Sequence, residues 1–402
     1  MTTIAKAGNS GKRSDCEVTI SVTGNEHNEI FLRSKVMTLY GKSIQRLLEN
    51  ILLFYDLHGL RIEIDDQGAL EWVIAARTEA ALRQLFALNK AYMPVSAHPV
   101  ITATDKDRDR VSRLYLPGNS PWLMLNAAIH KPDGIILDLE DSVAPGKKAE
   151  AAVLVRNALL SLDFMRAEKM VRINQLPLGF NDLDMVMAAV PQLILLPKCE
   201  KATQVLQTMQ HIDMLRAKHR IEQPVWLMPI IESALGVQHA YEIAKASPAV
   251  VGLAIGLEDY TADLGVQRTP QGWESLYACS AIVNACKAVG IQANDAVFAD
   301  VMDAEGLKAN IIRSKMLGFE GMGCIHPRQI AIIHKGYAPE EAEIEKAAKI
   351  VTAFEEAVAN GHGVVALGSK MVDLPVVKRA QKIMATAKAR GLLDKTDDNG
   401  NQ

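Results

Sequence analysis

From residue 113 to residue 325 the chain repeats one pattern: a short apolar run, a polar tip, then a stretch with helical spacing. The runs lie at 114–117, 134–139, 170–174, 193–197, 225–231, 250–256, 292–298 and 321–325. Continuous apolar runs with helices between them predict strands covered on both faces, and so a parallel sheet. Eight such units predict closure into an (α/β)8 barrel, the TIM-barrel fold. An open doubly wound sheet is the alternative. The barrel is expected over 111–340, with a helical extension or lid over 341–393 and a polar, disordered tail over 394–402.

Residues 1–95 follow a different pattern, that of a small α+β unit. Residues 18–22 alternate as a strand does. Residues 36–58 carry Val36, Leu39, Ile44, Leu47, Leu48 and Ile51 at helical spacing. Short strands are expected at 61–64 and 69–75 around the turn sequence Asp65-Asp66-Gln67-Gly68, followed by a helix over 78–89. Residues 96–110 are charged and lack periodicity, which predicts a linker.

Composition narrows the class. The apolar share of 49% supports a large core, and an aromatic share of 5% makes it aliphatic, as barrel interiors are. A net charge of −3 argues against general attraction to nucleic acid or anionic membranes. The five cysteines show no CxxC spacing, so neither a zinc site nor a disulfide framework is expected. The N-terminal residues lack the apolar segment of a signal peptide, and no run suffices to span a membrane. A soluble cytoplasmic protein is the expectation.

Barrel enzymes place their chemistry at the C-terminal strand ends, where the loops converge. Polar groups gather there: Asp138, Glu140 and Asp141; Arg172 and Asn174; Lys198; Glu232; Glu258 and Asp259; Asp295; His326. One such carboxylate is more often a helix cap or a loop ion pair. Several on one rim repel unless a cation compensates them. Oxygen ligands without a His or Cys cluster favour Mg²⁺ or Mn²⁺. Glu232 and Asp259, on neighbouring strands, are the expected ligands, with Arg172 beside a developing enolate oxygen. The plainer alternative has Arg172 merely neutralising Asp138 or Glu140. Lys198 raises a Schiff-base alternative, which nearby carboxylates oppose by keeping the amine protonated.

The stretches LPGNSPWLM, ILDLEDSVAPGKKAEA, VRIN, LLPK, PIIESALGV, IGLEDYTADLGV and IHPRQI resemble the β subunit of citrate lyase, in the citrate lyase/malyl-CoA lyase superfamily. So does SKMVDLP at 369–375, with Ser369 where glycine is usual. The resemblance implies an Mg²⁺-dependent carbon–carbon lyase with the metal on Glu232 and Asp259 and the substrate oxygen on Arg172. It implies that Asp373 acts as acid/base in a neighbouring subunit's site. It further implies a homotrimer or hexamer, and a separate CoA-transferase (α-type) subunit. Residues 1–95 resemble the citrate lyase acyl carrier protein through KAGN, SDCEVTI and DQGALEWVIAAR. That family attaches a phosphoribosyl-dephospho-CoA arm to a serine before an aspartate. Ser14, before Asp15, is the best match although basic Lys12-Arg13 precede it; Ser10 is a second candidate. Both serines also suit a flexible glycine-rich terminus.

The expected reaction is cleavage of a citryl thioester to oxaloacetate and an acetyl thioester, with Asp138, Glu140 and Lys198 ordering water and substrate around the metal. Alternatives are a free-CoA lyase for malyl-CoA, citramalyl-CoA or a related thioester, and a non-catalytic carrier scaffold.

Overall fold

The computed structural model describes residues 4–95, 102–359, 365–367 and 370–393. Ser369, the tail 394–402 and positions 96–101 of the expected linker lie outside these residues.

The N-terminal unit is a four-stranded sheet with two helices. Strands β1 (Ile4–Gly8), β2 (Cys16–Val22), β3 (Glu29–Ser34) and β4 (Leu60–Asp66) stand in the order β1-β2-β4-β3, with only the β3–β4 pair parallel. Helix α1 (Met37–Tyr55) connects β3 to β4, and α2 (Glu71–Leu85) follows β4. The expected strand at 69–75 is a correction: β4 has no hairpin partner after the turn. Asp66 Oδ1 accepts the amides of Gly68 and Ala69 at 3.0 and 2.7 Å, which turns the chain out of the sheet. The following residues are buried all round, from Trp72 to Leu82. Such a run carries no period that separates a buried helix from a buried strand.

The eight expected runs form the eight barrel strands: β5 (Ser112–Pro117), β6 (Gly134–Asp138), β7 (Glu168–Arg172), β8 (Leu193–Leu196), β9 (Trp226–Ile231), β10 (Gly252–Ile255), β11 (Gln292–Asp295) and β12 (Gly321–Cys324). They pair in parallel in chain order, and β12 closes on β5. The helices between them are α3 (Pro121–Met124), α4 (Lys148–Ser161), α5 (Leu178–Val186), α6 (Ala202–His219), α7 (Ala234–Gln238), α8 (Ala240–Lys245), α9 (Leu257–Leu264), α10 (Leu276–Val289) and α11 (Ala304–Leu317). Ile136, Met170, Leu195, Met228, Ile230 and Ala254 belong to one buried cluster. At the N-terminal end, Arg110 closes the floor, donating twice to the buried carboxylate of Glu168 at 2.7 and 2.9 Å. The charge read as linker thus partly serves to plug the barrel.

The carrier-like sheet and the barrel form one compact unit, Met1–Ile330. Helix α2 packs along α4. Two wholly buried arginines bridge them. Arg77 binds Asp15 with two hydrogen bonds, at 3.0 and 2.9 Å, and reaches Glu150 at 3.2 Å. Arg156 of α4 does the same to Glu79 of α2, at 2.9 Å twice. A second unit, Ala331–Gln402, contains most of α12 (Arg328–Tyr337), then α13 (Glu341–Ala359), the antiparallel pair β13 (Val365–Leu367) and β14 (Lys370–Val372), and α14 (Leu374–Ala389). Ala347 and Ile350 of α13 pack with Val377 and Ala380 of α14. No helix among the described residues is long and apolar enough to cross a membrane.

Candidate active site

Strand register does much of the assembly. Asp138, the last residue of β6, pairs in register with Arg172, the last of β7. Ile231 pairs with Ile255, which sets Glu232 beside Gly256 as the two chains leave the sheet. Asp259 follows in the first turn of α9. A cleft of about 480 Å³ opens over these ends, with Asp138, Arg172, Glu232, Asp259 and Tyr115 in its wall.

Arg172 is the centre of charge. Its Nε and Nη2 donate to the two oxygens of Asp138 at 2.6 and 2.9 Å, and Nη1 lies 2.8 Å from Glu140. The guanidinium stands 5.2 Å from the Tyr115 ring, a cation–π distance. Burial opposes its charge, but Asp138, Tyr115 and Glu140 raise its pKa further above the usual arginine value. Burial would raise the Asp138 carboxyl, yet the bonds from Arg172 and Ser142 outweigh it and hold the pKa low. The ion pairs of the plainer alternative, to Asp138 and Glu140, are both present, and the same contacts fix Arg172 in the cleft wall.

Lys198 follows β8 with φ +48°, a left-handed conformation uncommon for any residue but glycine. Its backbone N–H donates to Glu232 Oε1 at 2.6 Å. Its ammonium lies 3.5 Å from Glu140 and 3.7 Å from Asp259. Burial works against the charge, but Glu140, Asp141 and Asp259 prevail and raise its pKa. A protonated amine is not a nucleophile, so these carboxylates oppose the Schiff-base alternative.

The acidic groups outnumber the cations. Asp138, Glu140, Glu232 and Asp259 face two fixed positive charges, Arg172 and Lys198. Burial pushes Glu232 up to about 8, with the charges of Glu140 and Asp259 adding to it. Burial also pushes Glu140 up to about 7, against the pull of Arg172. Glu140 Oε2 is buried, with Arg172 Nη1 2.8 Å away. A Cβ at Gly256 would come within 2.4 Å of Glu232 Oε2, so glycine keeps that oxygen's surroundings clear. Excess carboxylate around the cleft and a cleared approach to Glu232 Oε2 fit a hard divalent cation. Among the described residues no three His, Cys, Asp or Glu converge as a metal-binding set. Two carboxylates with waters are an ordinary Mg²⁺ arrangement.

Residues 111–327, more than half of the chain, match the family model for HpcH/HpaI aldolase/citrate lyase. The chain belongs to this family. Among its relatives, the citrate lyase subunit beta of Leuconostoc mesenteroides is 41% identical, over 72% of this chain and 97% of its own. The L-malyl-CoA/beta-methylmalyl-CoA lyase of Cereibacter sphaeroides is 35% identical, over 68% and 93%. The Mycobacterium tuberculosis protein CitE, solved with magnesium, acetoacetate and coenzyme A, superimposes with a TM-score of 0.59 at 32% identity, covering 70% of this chain and 98% of its own. Residues 3–85 match the acyl-carrier model described as malonate decarboxylase delta subunit (MdcD). The chain is therefore a family carbon–carbon lyase with an acyl-carrier-like unit in front.

Not every HpcH/HpaI residue named from sequence reaches the cleft in the same way. Glu258 turns to Arg268 at 2.7 Å. Asp295 is buried at the cleft floor, where it accepts the Ala296 amide at 2.8 Å. His326 Nδ1 accepts the Arg328 amide at 3.1 Å. Asp373, in the second unit, is exposed and caps α14, accepting from Val376 N at 3.3 Å. Ser14 and Ser10 both lie in the turn between β1 and β2, half-buried. Two supporting residues were missed from sequence. Tyr115 stood inside an apolar run. Lys148, in the PGKKAEA stretch, donates to the carbonyls of Leu139 and Glu140 and to Asn174, tying three loop segments together.

Proposed function

We propose that this protein cleaves a citryl-type thioester into oxaloacetate and an acetyl thioester, with the acyl group carried by its own N-terminal unit. The observation behind this reading is the acidic cleft built on Glu232, Asp259 and Arg172, in a family lyase whose chain also contains a carrier-like domain. Glu232 and Asp259 would hold Mg²⁺ or Mn²⁺, which when bound polarises a substrate hydroxyl and carboxylate as a Lewis acid.

The protein's own groups do the rest. Arg172, held in place by Asp138, donates to the thioester oxygen as negative charge grows there. Lys198 offers its ammonium to a substrate carboxylate. Glu140 orders the water that takes the hydroxyl proton. Loss of that proton lets the C–O bond close to a carbonyl while the C–C bond breaks. The electron pair leaves on the acetyl thioester as its enolate, and Asp373 of a neighbouring subunit returns a proton to carbon. Ser14 would bear the phosphoribosyl-dephospho-CoA arm. A trimer or hexamer in the cytoplasm, working with an α-type CoA-transferase, completes the proposal.

One second reading has specific support: free CoA thioesters as substrates, since the solved CitE carries coenzyme A and one relative is named a malyl-CoA lyase. The test is release of oxaloacetate, glyoxylate and pyruvate from citryl, malyl and citramalyl thioesters, by protein from its native source. Oxaloacetate from the citryl thioester alone is the expected result. Glyoxylate or pyruvate as the main product would replace citryl with the matching acid.

A further inference from the structure

We infer that the carrier-like unit is a fixed donor, clamped through Arg77 so that the Ser14 loop sits at the mouth of its own barrel. That Ser14 bears an acyl arm rests on the carrier reading above; the clamp does not depend on it.

The loop itself is held. The Ser14 amide donates to the Gln67 carbonyl, and that of Asn9 to the Cys16 carbonyl, both at 3.1 Å. Gly8 has φ +91°, and a Cβ there would strike the Cys16 carbonyl oxygen at 1.9 Å. Asp15, next to Ser14, is fully buried and takes both arms of Arg77. The remaining Arg77 donors cross into the barrel domain. Nη1 reaches Glu150 at 3.2 Å, and Nη2 the Asn119 carbonyl at 3.1 Å. The Lys12 ammonium lies 5.7 Å from the Trp122 ring, within cation–π range. Asn119 and Trp122 follow the C-terminal end of β5, and Pro117 at that end lines the cleft. The serine loop therefore leans on the segment that leaves the barrel at its cleft-bearing face.

Arg156 and Glu79 make a second buried clamp, and Asn157 Nδ2 adds a bond to the Trp72 carbonyl at 3.1 Å. Parting the units would strand buried charges without partners. An acyl group would thus travel on its arm alone, in cis, at the raised effective concentration that a short tether gives. Any transferase would have to come to this rim. Arg77 is a positioning residue in this scheme.

Two measurements on the full chain test it. In native-state hydrogen exchange across a urea series, amides of α2 and of Ser14 should open together with those of α4; opening of α2 at clearly lower urea overturns the clamp. Native-source protein is then assayed for turnover of its own arm-bound citryl group and of free citryl-CoA. Arg77→Gln should lower the first at least tenfold and change the second less than twofold. Should Arg77→Gln not fold, Asp15→Asn replaces it with the same expected split, turnover being counted per arm-bearing chain by intact mass. Equal loss on both substrates overturns the positioning role. Mixing Ser14→Ala chains with Glu232→Gln chains should restore no arm-bound turnover; restoration overturns delivery in cis. An unmodified Ser14 by intact mass overturns the carrier reading and delivery with it, while the exchange result still judges the clamp.

Discussion

At the scale of residues, the cleft works by unequal pairing. Arg172 satisfies Asp138 with a forked pair of bonds and meets Glu140 Oε2 through Nη1 alone, at 2.8 Å. Lysine cannot reproduce that fork. Arg172→Lys should therefore lower kcat/KM by about 10²–10³, the usual loss for one oxyanion donor, in steady-state kinetics at saturating Mg²⁺, with the fold retained by circular dichroism. Gly256 gives a sharper test, because its only side-chain role is to be absent. Gly256→Ala would press a methyl against Glu232 Oε2. Weaker Mn²⁺ binding is expected, with the fold retained by circular dichroism. The ligand candidates Glu232 and Asp259 were legible because each ends or follows an apolar run. Tyr115 and Lys148 were not, since each matters only through a neighbour brought close by folding.

At the scale of elements, eight continuous apolar runs announced eight strands because barrel strands are buried on both faces and need no alternation. The same logic failed at 69–75, where the unbroken burial of α2 from Trp72 to Leu82 erased the helical period. That burial is also what makes the α2–α4 contact dependent on its ion pairs. Breaking one by Glu79→Gln should cost about 3–5 kcal/mol by urea unfolding, since Arg156 would stay buried and uncompensated. Replacing both, Glu79→Gln with Arg156→Met, should recover part of that loss. Burial would raise the Glu79 pKa, but Arg156 and Arg83 lower it overall. A depressed folded pKa gives stability that is present above the ordinary glutamate range and is lost as pH falls through it. The acid limb of the wild-type stability profile should accordingly be steeper than that of the Glu79→Gln, Arg156→Met double variant.

At the scale of the whole molecule, one compact unit joins a carrier-like domain to a lyase barrel, and that combination is what the account explains. The N-terminal fold was read only in part from sequence, because β1 and β3 are short edge strands and β3 pairs with β4 only across the whole of α1. The role of Asp373 came from family resemblance alone, and in the structure it is a helix cap. Chelation should abolish cleavage, with Mg²⁺ or Mn²⁺ restoring it. The most direct test of the central claim is a Mn²⁺ titration followed by electron paramagnetic resonance, on wild type, Glu232→Gln and Asp259→Asn, each checked for native melting behaviour. One tight site in the wild type, lost in both folded variants, is the predicted result. Undiminished Mn²⁺ binding in either folded variant would contradict it.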